Sequence, residues 1–171
     1  MGTSSSPHAP LYTPEQRRRR DATPWTLVQG ILAPAQFFVF LASLALVLRA
    51  LWTGEGVVAA SVSVVIKTLF LYAIMVTGAI WEKRVFDRYL FAAAFYWEDV
   101  FSMLVIALHT AYLVALFTGW LGVRGQLLLA LLAFATYVIN ATQFLLKLRA
   151  ARLGERERLR ADASPSLEVA R

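Results

Sequence analysis

The chain has no cysteine, which excludes a disulfide framework, a thiolate metal site and a cysteine nucleophile together. Charge is scarce as well. Of 171 residues, 16% are charged against 58% hydrophobic, and mean hydropathy is +0.58. A soluble domain of this length needs more polar surface to cover itself. Histidine occurs twice, at His8 and His109, so no protein-held transition-metal centre is expected. The sequence also lacks a glycine-rich phosphate loop, a Gly-x-Ser-x-Gly elbow, a His-Glu-x-x-His pair and any internal repeat. These absences leave an integral membrane protein.

What is present fits that class. Four apolar runs, about 25–51, 57–80, 97–120 and 126–147, each approach the ~20 residues that a spanning helix needs. Short links between the first and second and between the third and fourth imply antiparallel neighbours, so the expected fold is all-α, a four-helix up-down bundle. Residues 1–24 read as a disordered leader and a basic segment, with Thr13 placed to cap a short surface helix from Pro14. Residues 25–148 form the membrane domain, and 149–171 a charged tail that frays from the last helix. The first run is too long for a signal-peptide core and ends without a small-residue cleavage site, so it reads as an uncleaved anchor.

The +6 net charge is distributed as topology. Four arginines precede the first run, Lys83, Arg84 and Arg88 lie between the second and third, and seven basic residues follow from Lys147. The opposite links hold only Arg49 and Arg124. The excess of positive residues places both termini and the 81–96 loop in the cytoplasm, and gives no nucleic-acid patch.

Polar residues inside the runs are few and aligned. Glu98, Ser102, Val105, His109 and Tyr112 step by four, three, four and three, one face of a helix. Thr136, Asn140, Gln143 and Lys147 share a face of the fourth helix, and Gln29 and Gln36 share one of the first. Ionisable groups in hydrocarbon are costly unless they face a protein interior, which marks this stripe as a functional site. At ~1.5 Å per residue, Lys67 and His109 lie near mid-membrane, and the other polar groups lie nearer the basic ends. A polar pocket open on one side suits a binding or catalytic site better than a through-pore. Asp99 is expected to pair with Lys83 or Arg88 at the headgroups, and Phe91, Phe95, Tyr96 and Trp97 to form an aromatic belt.

Three blocks, LYTPEQRRRRDATPWTLVQGILAPAQFFVF, VTGAIWEKRVFDRYLFAAAFYWEDVFSMLVIALHTAYL and YVINATQFLLKLRAARL, resemble the vinyl bacteriochlorophyllide hydratase family (3-vinyl, formerly 2-vinyl). The resemblance runs from about Leu11 to Leu153. It implies a hydro-lyase of bacteriochlorophyll biosynthesis, multi-pass in the bacterial inner membrane, that adds water to the ring-A vinyl group of a chlorophyllide. Implied partners are that substrate, membrane lipid and other enzymes of the same biosynthesis. No cofactor is implied, since the magnesium belongs to the substrate.

Such a hydration needs an acid for the terminal vinyl carbon, a held water and a base for its proton. Glu98 is the expected acid, Asn140 and Gln143 the groups that hold water, and His109 the base. His109 has a rival role as axial ligand to the substrate magnesium, and one nitrogen cannot serve both. Lys83, Arg84 and Arg88 are expected to meet the substrate propionate, with Gln36 and Tyr112 completing the binding set. The alternative reading is a non-enzymatic pigment-binding or assembly protein with His109 as a static ligand.

Overall fold

The computed structural model describes residues 11–163, with side chains through Gly154 and at Arg156. Residues 1–10, read above as a leader, and 164–171 of the tail lie outside the described residues. Among the described residues there are five helices and no strand. They are α1 (Pro14–Ala22), α2 (Pro24–Thr53), α3 (Val57–Phe86), α4 (Tyr96–Thr118) and α5 (Val123–Ala163). Four of them, α2 to α5, are long and apolar enough to cross a membrane.

Local sequence sets the ends. Thr13 accepts from the Gln16 amide, and the Gln16 side chain accepts from the Thr13 amide, closing a capping box with Pro14 at the first helical position. Gly54 and Gly119 end α2 and α4 in left-handed conformations, with φ of 73° and 68°, which a Cβ would strain. α2 continues through Pro34. At ~1.5 Å per residue, α2 and α3 reach roughly 45 Å, beyond the ~30 Å hydrocarbon core.

The extra length falls mostly at the basic end and alters the expected boundaries. α3 continues six residues past Ile80, so Lys83 and Arg84 lie in its last turn rather than in a loop. Cations are favoured there by the helix dipole. The connection shrinks to residues 87–95. At the other end of the chain, α5 begins at Val123 and continues to Ala163, so most of the expected tail is helix.

Two hairpins make the bundle. α2 packs extensively on α3 and α4 on α5, the hairpins meet chiefly through α2 and α5, and α3 touches α4 sparsely. The core comprises Phe40, Val47, Ala60, Val64, Leu71, Val105, Tyr112, Leu127, Ala130, Phe134 and Tyr137 with their neighbours. Small residues at the α2–α3 seam let the backbones approach, and Ser43 and Ser63 share a 2.9 Å hydrogen bond there. A second cluster closes the basic end. Tyr12 stacks on Phe86, while Phe95 stacks on Phe144 and meets Trp81 and Phe86 edge-on. Phe95 is therefore buried packing, while Phe91, Tyr96 and Trp97 are exposed.

Candidate functional site

The α4 stripe faces the bundle interior as its spacing predicts. Glu98, Ser102, Val105, His109 and Tyr112 are all buried. Asn140 of α5 lies opposite Ser102 and donates to its hydroxyl at 2.8 Å. One turn nearer the basic end, Lys147 donates to Glu98 at 2.7 Å, with its ammonium 5.0 Å from the Phe95 ring centre. Gln143 lies between Asn140 and Lys147 on the same face of α5.

A second carboxyl site stands at this rim. Glu82 of α3 and Asp99 of α4 are both buried, and their carboxyl groups lie close enough to interact. Two buried carboxyls so placed repel each other if both are ionised, which favours one keeping its proton. Backbone amides cap the pair from the connecting loop: Phe91 donates to Asp99 at 2.7 Å and Ala92 to Glu82 at 3.4 Å. Phe91 has φ 59°, an uncommon conformation for an aromatic residue, and its amide bond to Asp99 is one contact that holds it there. Asp99 thus binds inward, not to Lys83 or Arg88 as expected.

His109 lies seven residues deeper than Ser102, about 10 Å along α4. Its Nδ1 lies 2.8 Å from the Val105 carbonyl oxygen. Donation there makes Nδ1 the protonated nitrogen and leaves the Nε2 lone pair directed into the bundle, without a partner. Around it are Phe134, with ring centres 6.0 Å apart, and Lys67, its charged neighbour from α3. Buried polar atoms without partners recur through this region: Gln36 Oε1, Lys67 Nζ, His109 Nε2, the Tyr112 hydroxyl, Asn140 Oδ1 and Gln143 Oε1. Native interiors leave few such atoms, so their clustering here marks a region able to bind polar groups.

The outer basic residues form a separate feature. A surface cleft of about 520 Å³ is lined by Arg19, Ile80, Lys83, Arg84, Asp87 and Tyr89. Lys83 donates to the Asp87 carbonyl at 2.8 Å, and Arg19 bridges Glu15 and Asp87. Arg88 is exposed and outside this lining.

A family model described as 2-vinyl bacteriochlorophyllide hydratase matches residues 12–150. The chain belongs to that family. A relative from Rhodobacter capsulatus named 2-vinyl bacteriochlorophyllide hydratase is 70% identical over 143 residues, 84% of this chain and 83% of the relative. One of the same name from Cereibacter sphaeroides is 69% identical over 150 residues, 87% and 92% of the two chains. No solved structure matches.

Of the residues expected at a hydratase site, the fold brings Glu98, Asn140 and Gln143 to one rim, sets His109, Tyr112 and Gln36 deeper, and leaves Lys83, Arg84 and Arg88 outside. Sequence reasoning placed none of Ser102, Glu82 and Lys147 among the primary site residues. Ser102 and Lys147 already lay on the two polar stripes. Glu82 had no such signal, because its partner comes from another helix.

Proposed function

We propose that this chain hydrates the ring-A vinyl group of a bacteriochlorophyllide-type substrate, giving the hydroxyethyl group in bacteriochlorophyll biosynthesis. The observation that carries this reading is identity of about 70% to two relatives named for that activity, across more than four-fifths of each chain. The protein lies in the bacterial inner membrane with both termini cytoplasmic, by the bias of basic residues. Neighbouring enzymes of the same biosynthesis supply substrate and take product, and the reaction itself is redox-neutral.

The rim supports a division of labour between its two carboxyl sites. In this reading Glu98, held 2.7 Å from the Lys147 ammonium, takes the part of the base, while sequence spacing alone offered it as the acid. The Glu82–Asp99 pair holds a proton between two oxygens and is the acid. Asn140, anchored to Ser102 through Nδ2, turns an unpartnered Oδ1 towards the water, and Gln143 Oε1 is a second acceptor. The acid forms the new C–H bond at the terminal vinyl carbon. The macrocycle stabilises the cation on the adjacent carbon, water adds there, and Glu98 takes the water's proton. Proton count is restored by transfer across the rim from Glu98 to Asp99.

His109 is about 10 Å from the Ser102–Asn140 pair along the helix, too far to act on a two-carbon group held there. That separation favours its role as axial ligand to the substrate magnesium through Nε2. Lys83, Arg84 and Arg88 offer a cationic landing surface for an anionic substrate.

Membranes containing the chain, incubated with a vinyl bacteriochlorophyllide, should yield a product heavier by one water. A stoichiometric, non-exchanging pigment with no conversion would point instead to the pigment-binding alternative. For orientation, cysteines at Gly54 and Gly122 should react with an impermeant thiol reagent from the periplasm, and one at Asp87 should not.

A further inference from the structure

Lys67 carries a buried amine that the chemistry above leaves unused. Its side chain is 0% exposed, and Nζ has no hydrogen-bond partner. Its one close favourable contact is the face of Tyr137, with Nζ 3.9 Å from the ring centre. No acid can neutralise it from any packed element. α2, and α5 as far as Gly154, contain none. Glu82 lies fifteen residues on along α3, roughly 22 Å, and Glu98 and Asp99 lie ten or more residues from His109, Lys67's neighbour on α4. A lone amine at mid-membrane can hold its charge only where an anionic partner arrives, and such a residue is by default functional.

The substrate class inferred above carries one anion, the carboxylate of its propionate arm. We infer that Lys67 is the counter-ion for this carboxylate, which makes it the residue that selects the free acid over an esterified chlorin. This inference rests on the proposed function for its ligand class. The layout is consistent along the bundle axis. Vinyl chemistry sits at the Ser102–Asn140 level, the magnesium over His109, and the carboxylate at the Lys67 level, on the side of His109 away from the rim. α3 and α4 touch sparsely, so the inference requires the substrate to enter by parting these two helices. The outer cations are weaker candidates, because Lys83 is already bonded to Asp87 and lies in solvent, where ion pairs contribute little.

The test titrates the full chain, in lipid nanodiscs, with a magnesium vinyl chlorophyllide and with its propionate methyl ester, following chlorin absorption. Wild type should bind the acid roughly tenfold to hundredfold tighter than the ester, the range for a hydrogen bond to a charged group. Lys67→Met should reduce acid affinity to that of the ester and leave ester affinity within about twofold, since the ester makes no charged bond to lose. If Lys67→Met binds neither compound, Lys67→Gln takes its place with the same expectation. Absence of acid preference in wild type overturns the inference. So does a preference that survives loss of Lys67, or one that disappears instead in Lys83→Ala/Arg84→Ala. Hydration assayed in the same samples tests the proposed reaction separately, because the binding preference is read whether or not turnover occurs.

Discussion

Two buried polar layers cross this bundle, and they differ in how completely they are satisfied. At the rim, Glu98 meets Lys147, Asp99 meets the Phe91 amide and Glu82, and Asn140 meets Ser102. Around mid-membrane, Lys67 Nζ and His109 Nε2 are equally buried and make no hydrogen bond. A polar group without a partner is far more costly in a low-dielectric interior than a paired one. The rim can therefore hold itself in order without substrate. The middle layer is complete only when something with complementary atoms enters. Catalytic proton traffic fits the first region, and recognition of the macrocycle fits the second.

Removing the base is the largest expected break in that contrast. Glu98→Gln should lower turnover by at least ~10²-fold, the usual loss for a proton-transfer group, with substrate affinity nearly unchanged. If turnover survives, the rim is a structural lock. Glu82→Gln and Asp99→Asn should each cost activity on the same order, and the double variant should be little worse than the poorer single, because the two share one proton. Additive losses would show that the carboxyls work independently.

The middle layer should respond through binding. His109→Leu should weaken binding of a magnesium chlorin and leave the magnesium-free analogue unaffected, read by absorption titration; equal losses for both would make the imidazole mere packing. Asn140→Leu should accumulate vinyl substrate in cells at near-normal protein levels, through loss of one water acceptor and the bond to Ser102, about 1–3 kcal/mol. Unchanged turnover would reduce Asn140 to an interhelical bond. Smallest of all, Arg19→Ala removes exposed ion pairs with Glu15 and Asp87, and should leave unfolding stability nearly unchanged, with any effect fading in high salt. A larger shift would mean that α1 is coupled to the rim.

Much of this was legible from spacing. The stripe from Glu98 to Tyr112 needs only the 3.6-residue period to share a face, and burial follows because hydrocarbon rejects such groups. Helix length was less legible. Lys83 and Arg84 look like loop residues by charge, yet a helix end tolerates and even favours them. The outcome for Asp99 was illegible, since an acid at a membrane rim next to three basic residues suggests a surface pair. It bonds inward because the loop turns at Phe91 and presents an amide to it.

The sequence by itself determined the class, the four spans, the identity of the polar face and the resemblance to a hydratase family, because each depends on periodicity or on local similarity. Only the tertiary structure decided which charges find partners. That Glu98 meets Lys147, forty-nine residues away, that Glu82 lies against Asp99, and that Lys67 Nζ makes no hydrogen bond depend on how two hairpins are rotated against each other. Helical spacing defines a face but not its neighbour, and the charge state of a buried group is set by its neighbour.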